Sequence, residues 1–175
     1  MTLMSTMRAR GFTLIEIMIA ISIFFALVML AGPMYAEFMA NTQVRNAADS
    51  IMSGVRRAQA EAIRHNTPAR FILNGNTDWE VKAPDQDAVD KSITKYYFAE
   101  GSKDAVPTPD AGTTVTFNGL GRIIPNADAS ASMNLINVTA PGANRALRVL
   151  IGTAGAAGVK LCDPAMPSTD PAGCP

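Results

Sequence analysis

The chain has 175 residues, with 15 Lys+Arg against 15 Asp+Glu and a single His. That balance excludes a protein that coats nucleic acid through bulk positive charge and leaves only a local basic patch. Only 17% of residues are charged and 48% are hydrophobic, which excludes a disordered, highly charged tail protein, and the apolar residues gather in one block, which excludes a multi-pass membrane protein. Both cysteines fall in the last 14 positions, which excludes a zinc finger and a disulfide-dense mini-protein.

Residues 1–11 carry Arg8 and Arg10 and no acid. Residues 12–35 follow as an apolar stretch of 24 positions in which Glu16 is the only ionisable group before Tyr35. At about 1.5 Å per residue this stretch is long enough to cross a bilayer core of roughly 30 Å. The arginines before it place the N-terminus in the cytoplasm and export everything beyond about Ala36. A secretory signal peptide would have a shorter apolar core and a small-x-small site after it. Here the small residue that invites cleavage is Gly11, before the apolar run, so cutting there keeps the hydrophobic helix in the mature protein. Glu16 then lies one helical turn from the new amine of Phe12, able to neutralise it on its own chain or on a neighbour. A carboxylate near a helix N-terminus is also favoured by the helix dipole. In a plain anchor, Glu16 simply sits at headgroup level.

Residues 36–65 continue as an amphipathic helix. Val44, Ala48, Ile51, Val55, Ala58, Ala62 and Ile63 recur at three- and four-residue spacing, while Arg45, Arg56, Arg57, Glu61 and Arg64 fall mainly on other faces. The stripe is narrow and rich in Ala, which suggests close approach to a sheet. Asn66-Thr67-Pro68 ends a helix that starts at Phe12 and spans roughly 80 Å if straight. Residues 66–175 read as strands at 70–73, 79–82, 93–99, 113–117, 121–124, 135–139, 146–151 and 159–162. Asn74-Gly75-Asn76 signals a hairpin, and residues 84–90 and 101–112 read as polar loops. Short strands without intervening helices give an antiparallel sheet or small sandwich. The fold class is α+β: one long helix packed on antiparallel β structure.

Cys162 and Cys174 lie on the exported side, where disulfides persist, and closing a loop of about 13 residues stabilises by roughly 3 kcal/mol in the chain-entropy reading. The alternative is two free thiols. No catalytic constellation, metal set or cofactor loop stands out: His65 is at the helix end, and Asp85, Asp87 and Asp90 lack the glycine and terminal Glu of a calcium-binding loop. The expectation is a protein that is not an enzyme and holds no cofactor or metal.

Arg10-Gly11-Phe12-Thr13-Leu14-Ile15-Glu16 resembles the processing motif of type IV pilins and type II secretion pseudopilins. The resemblance implies that a prepilin peptidase cuts between Gly11 and Phe12 and methylates the Phe12 amine, that Glu16 guides subunit docking, and that Pro33 is the family's helix-bending proline. Arg57-Ala58-Gln59-Ala60-Glu61-Ala62-Ile63-Arg64, the run Phe117-Asn118-Gly119-Leu120-Gly121, and Cys162-Asp163-Pro164 are similar to segments of the GspH/FimT group. The implied role is a minor pilin at the tip or in the priming complex of a type IV pilus, with other major and minor pilins, prepilin peptidase and the inner membrane as partners. Its body would be periplasmic and then extracellular. One alternative is a GspH-like pseudopilin of a type II secretion system. The other is a FimT-like DNA-binding pilin, for which Arg145, Arg148 and Lys160 are the candidate residues. DNA-binding members of that type carry Gly-Arg-x-Arg shortly before the cysteine. Ala157-Gly158-Val159-Lys160 here has one cation where two arginines would be, which weakens phosphate binding.

Overall fold

The computed structural model describes residues 11–75, 78–84, 90–152 and 158–175. The leader arginines Arg8 and Arg10, the turn residue Asn76, the loop residues Asp85 and Asp87, and Ala157 lie outside the described residues. The chain divides into two units between Ala36 and Glu37.

A continuous α-helix, α1, spans Leu14–His65. It stops where the sequence predicts, and the stop has a defined geometry. Asn66 takes a left-handed φ of 51°, Thr67 N donates to Ala62 O (3.2 Å), and Asn66 N donates to Ile63 O (3.3 Å). These two bonds form a Schellman cap on the last carbonyls, and Pro68 follows because it cannot continue the helix.

Nine strands follow among the described residues: β1 (Ala69–Asn74), β2 (Asp78–Pro84), β3 (Asp90–Tyr97), β4 (Val106–Pro109), β5 (Thr114–Phe117), β6 (Ile123–Ile124), β7 (Leu135–Thr139), β8 (Leu147–Ile151) and β9 (Val159–Cys162). They form two antiparallel sheets, in the orders β3-β2-β1-β5-β6 and β4-β7-β8-β9. The hairpin expected after Asn74 joins β1 to β2, with Asn74 opposite Asp78. Side chains alternate along β1: Ala69, Phe71 and Leu73 are buried, and Arg70 and Ile72 are only partly so.

One core takes in the helix stripe and both sheets. Val44, Ala48, Ile51, Val55, Ala58 and Ala62 pack with Phe71, Val81, Val115 and Phe117 of the first sheet and Ile136, Val138 and Val149 of the second. The Ala-rich stripe allows close approach, and Gly54 allows the closest. A Cβ there would fall 2.8 Å from Phe71 Cε2 and 3.0 Å from Trp79 Cε3. Trp79 in turn stacks on Tyr96 at 5.5 Å and donates its indole N–H to Ser50 Oγ at 2.9 Å.

The structure corrects several expectations. Residues 101–112 contain β4, which pairs with β7 through Pro107 and Pro109. Pro cannot donate to a ladder, so a Pro-x-Pro run reads as loop, yet an edge strand tolerates the missing N–H groups. The predicted strand 93–99 ends early, at Tyr97, and residues 98–100 form a short 3₁₀ turn, while β6 keeps only two of the four predicted residues. Ile63, assigned to the apolar stripe, is 53% exposed, whereas Glu61, assigned to a polar face, is buried. Glu61 tolerates this position because Arg64 Nη2 (2.6 Å) and His65 Nε2 (3.6 Å) reach its Oε2 from the next turn. A second buried acid, Glu80, sits mid-strand on β2. Burial pushes its pKa up, but hydrogen bonds from Lys82 and Asn74 and the charges of Lys82 and Lys95 outweigh this and hold it below the usual carboxylate value.

Candidate functional site

Gly11, Phe12 and Thr13 precede the helix in non-helical backbone, and Phe12 is 78% exposed. The bond between Gly11 and Phe12 therefore lies in an accessible, unwound segment. Thr13 is the N-cap. Its Oγ1 accepts from Glu16 N (3.3 Å), and its own N–H points back to Glu16 Oε2 (3.5 Å), the reciprocal arrangement of a capping box. Sequence reasoning used Glu16 for its charge and missed Thr13. The Thr-x-x-Glu spacing just ahead of an apolar run was the signal that could have found it. The box places the carboxylate at the positive end of α1, one turn from Phe12.

From Phe12 to Met39 every large apolar side chain is exposed, including Leu14, Ile15, Phe24, Phe25, Met29 and Leu30. A continuous apolar surface of this length is not stable in water and requires lipid or neighbouring apolar helices. Within it the polar Ser22 is satisfied locally, its hydroxyl donating to Met18 O at 2.8 Å. Pro33 lies inside α1, where its ring nitrogen gives no N–H to the carbonyl four residues earlier. This segment is long and apolar enough to cross a membrane and is the membrane-anchoring part of the chain.

The two cysteines come together as a disulfide, Cys162–Cys174, with Cα atoms 5.0 Å apart. Around it the structure gathers the three basic candidates and gives each a partner within the fold. Arg145 donates to Asp163 Oδ2 through Nη2 (2.8 Å) and Nε (3.3 Å). Lys160 Nζ reaches Gly173 O at 3.1 Å, and Arg148 Nε reaches Asn137 Oδ1 at 2.8 Å on the neighbouring strand. These side chains tie the C-terminal loop and the second sheet together.

Asp163 is the buried member of this cluster. The hydrogen bond from Arg145, then that from Ala165 N, hold its carboxyl below the usual carboxylate range. A depressed folded pKa stabilises at every pH above the unfolded value of about 3.9, and that stability is lost as pH falls through the folded pKa. The half-exposed Arg145 limits the size of the effect through solvent screening. Asp163→Asn is therefore expected to lower the urea midpoint at neutral pH and to flatten its fall below about pH 4. Identical acid profiles for the variant and the parent chain would show that the pair carries no pH-dependent stability.

A capped, exposed apolar helix running into an antiparallel β body defines a pilin-type structural subunit, of the superfamily of type IV pilins and type II secretion pseudopilins. Residues 47–155 match the family model described as Type II transport protein GspH, and residues 6–32 match the prokaryotic N-terminal methylation motif. The first match covers more than half of the chain, and the chain belongs to this GspH family. The minor pseudopilin EpsH from the Type 2 Secretion System of Vibrio cholerae is similar in structure, with TM-score 0.54 and 10% identity over 71% of this chain and 99% of that chain. The type IV minor pilin FimU of Pseudomonas aeruginosa (strain PAO1) gives TM-score 0.53 and 14% identity over 76% of this chain and 95% of that chain. At these identities the likeness is one of fold. Among curated proteins none matches the chain by sequence.

Proposed function

We propose that this pilin-type subunit is a minor pilin of a type IV pilus, placed at the tip or in the priming complex. It is made as a membrane precursor with a cytoplasmic N-terminus and a periplasmic body. Prepilin peptidase cuts between Gly11 and Phe12 and methylates the Phe12 amine. The subunit then leaves the inner membrane for a filament built with other major and minor pilins. The observation that carries this reading is the capped start at Thr13 and Glu16, followed by a helix whose apolar side chains are all exposed through Met39. Lipid covers that surface before assembly, and the helices of neighbouring subunits cover it afterwards. The role is structural and not enzymatic.

The disulfide-closed C-terminal loop favours the pilus among the two filament systems. A second reading, a pseudopilin of a type II secretion system, is favoured by the description of the matching family. DNA uptake has less support, because Arg145, Arg148 and Lys160 are engaged with Asp163, Asn137 and Gly173. The test is intact-mass analysis of the chain from sheared surface filaments. The expected species begins at N-methylated Phe12 and co-purifies with other pilins. A cellular form that still begins at Met1, or one trimmed beyond the apolar helix, removes the proposal. A correctly processed form that stays in the periplasm selects the second reading.

A further inference from the structure

The body carries a preformed groove on the first helical residues that belong to it. Phe38, Thr42 and Arg45 of α1 form one wall, and Arg145 and Leu147 form the other, around a cavity of about 190 Å³ floored by Val44. The walls are stitched together. Arg145 N donates to Asn41 Oδ1 (3.3 Å), Asn41 Nδ2 donates to Asn144 Oδ1 (3.0 Å), and Asn144 Nδ2 donates to Glu37 Oε1. A groove held in this way needs little reorganisation to take a ligand. An apolar cavity of about 150 Å³ admits a benzene ring, so this space admits a glycerol ester and a few methylenes.

Its polar side offers donors without acceptors. Arg45 Nε stands 3.6 Å from Asp49 Oδ2, beyond hydrogen-bond length, so its guanidinium is attracted to that carboxylate but not bonded to it. Arg145 uses Nε and Nη2 on Asp163 and keeps Nη1. Planar guanidinium donors suit the oxygens of a phosphate. Asp49, Asp163 and Glu37 offset the charge of the two arginines, which argues against a polyanion and for a headgroup that carries both signs. The apolar side is open as well: Phe38 is 65% exposed and lies in the same stretch as the exposed Tyr35 and Met39. Exposed aromatic rings at the end of a span are typical of the membrane–water boundary.

Counting along α1 puts these residues at the level of lipid. With Glu16 at headgroup level, a hydrocarbon core of about 30 Å takes roughly the next 20 residues, to about Ala36. The headgroup layer adds roughly 5–8 Å, or about 3–5 residues, which covers Phe38 and reaches Asn41. Arg45 stands one turn further on, and helix side chains lean toward the N-terminus, which carries its guanidinium back toward the lipid. We propose that the groove seats a phospholipid of the membrane that holds α1, with Arg45 and Arg145 on its phosphate and Phe38, Val44 and Leu147 against its glycerol and upper acyl carbons. The contact rests on reading the chain as a membrane precursor with an exported body. It docks that body on the lipid surface until the subunit is withdrawn for assembly.

The test places the full-length chain in vesicles of phosphatidylethanolamine with a minor share of phosphatidylglycerol, doped with a phosphatidylethanolamine that carries a photoreactive group near the head of one acyl chain. After illumination, lipid adducts are mapped by mass spectrometry. The expected result is adducts on residues 144–147, far in sequence from the span, besides those on the span itself. Losing one charge-assisted contact is about tenfold in an equilibrium, enough to turn a mostly filled groove into a mostly empty one. Arg45→Gln, an exposed helix position, therefore lowers the adducts on residues 144–147 about threefold or more, while Arg57→Gln, on the same helix outside the groove, leaves them unchanged. Adducts confined to the helix, adducts on residues 144–147 that ignore Arg45→Gln or fall equally with Arg57→Gln, or cross-links there to a second protein chain in place of lipid overturn the proposal. A chain that floats with the vesicles but gives no adducts on residues 144–147 removes this contact and leaves the membrane-precursor reading intact. A chain that does not float with them removes both.

Discussion

On the proposed function, Glu16→Ala is expected to leave cleavage after Gly11 unimpaired and to lower the amount of chain recovered in filaments about tenfold or more. The magnitude follows from the surroundings. In the proposed filament, where apolar helices pack together, the Phe12 amine that the proposed cleavage exposes would have little water around it, and an unpaired charge there costs several kcal/mol. A loss of only about 1.4 kcal/mol is already tenfold in an equilibrium. The capping box supplies the control, because part of the role of Glu16 is local: it satisfies the start of α1 together with Thr13. Glu16→Gln keeps a side chain able to complete the box but removes the charge. The charge-pairing role thus predicts that the Gln variant assembles as poorly as the Ala variant. Filament recovery is read by immunoblot of sheared material, and processing by the mass of the membrane-held pool. If the Gln variant assembles normally, Glu16 acts as a cap and nothing more.

Replacing Cys162 and Cys174 by Ser destabilises the exported body by about 3 kcal/mol, the chain-entropy value for a loop of this length. For a body of this size that corresponds to a fall in Tm of about 10 °C. Residues 163–173 form little regular structure, but they are not held by the disulfide alone. Asp163 bridges to Gly173, Asp163 N donates to Ala172 O at 2.7 Å, and Lys160 Nζ donates to Gly173 O at 3.1 Å. Those bonds restrain the loop only when the fold is already formed, whereas the covalent link restrains the unfolded chain as well. The check is thermal melting of the oxidised chain against the double Ser variant. A shift below about 2 °C would mean that the hydrogen bonds suffice and that the bridge adds nothing measurable.

Local signals explain most of what the sequence made legible. The apolar run after Gly11, the helix stop at Asn66-Thr67-Pro68 and all eight predicted strands depend on residues close in the chain, and each is found within a few residues of its expected place, β6 in shortened form. The miss at β4 has a plain cause. Pro107 and Pro109 are evidence against a strand only where both edges must donate, and the sequence does not show that this strand has one free edge. The exchange of Ile63 and Glu61 has a similar origin. Periodicity assigns faces to a helix but not the width of the surface packed on it, and here the Gly119–Gly121 turn and the neighbouring Arg64 decide which side chain is covered.

Membrane insertion, the cap at Thr13 and Glu16, the long helix and the α+β class were therefore set by the sequence itself, because short-range chemistry and one unbroken apolar stretch suffice for them. Tertiary structure alone decided that Arg145, Arg148 and Lys160 are bound to partners within the body, and that Glu61 is covered while Ile63 stays half-exposed. Those outcomes depend on which distant segments the two sheets bring together, and no local pattern of residues encodes that pairing.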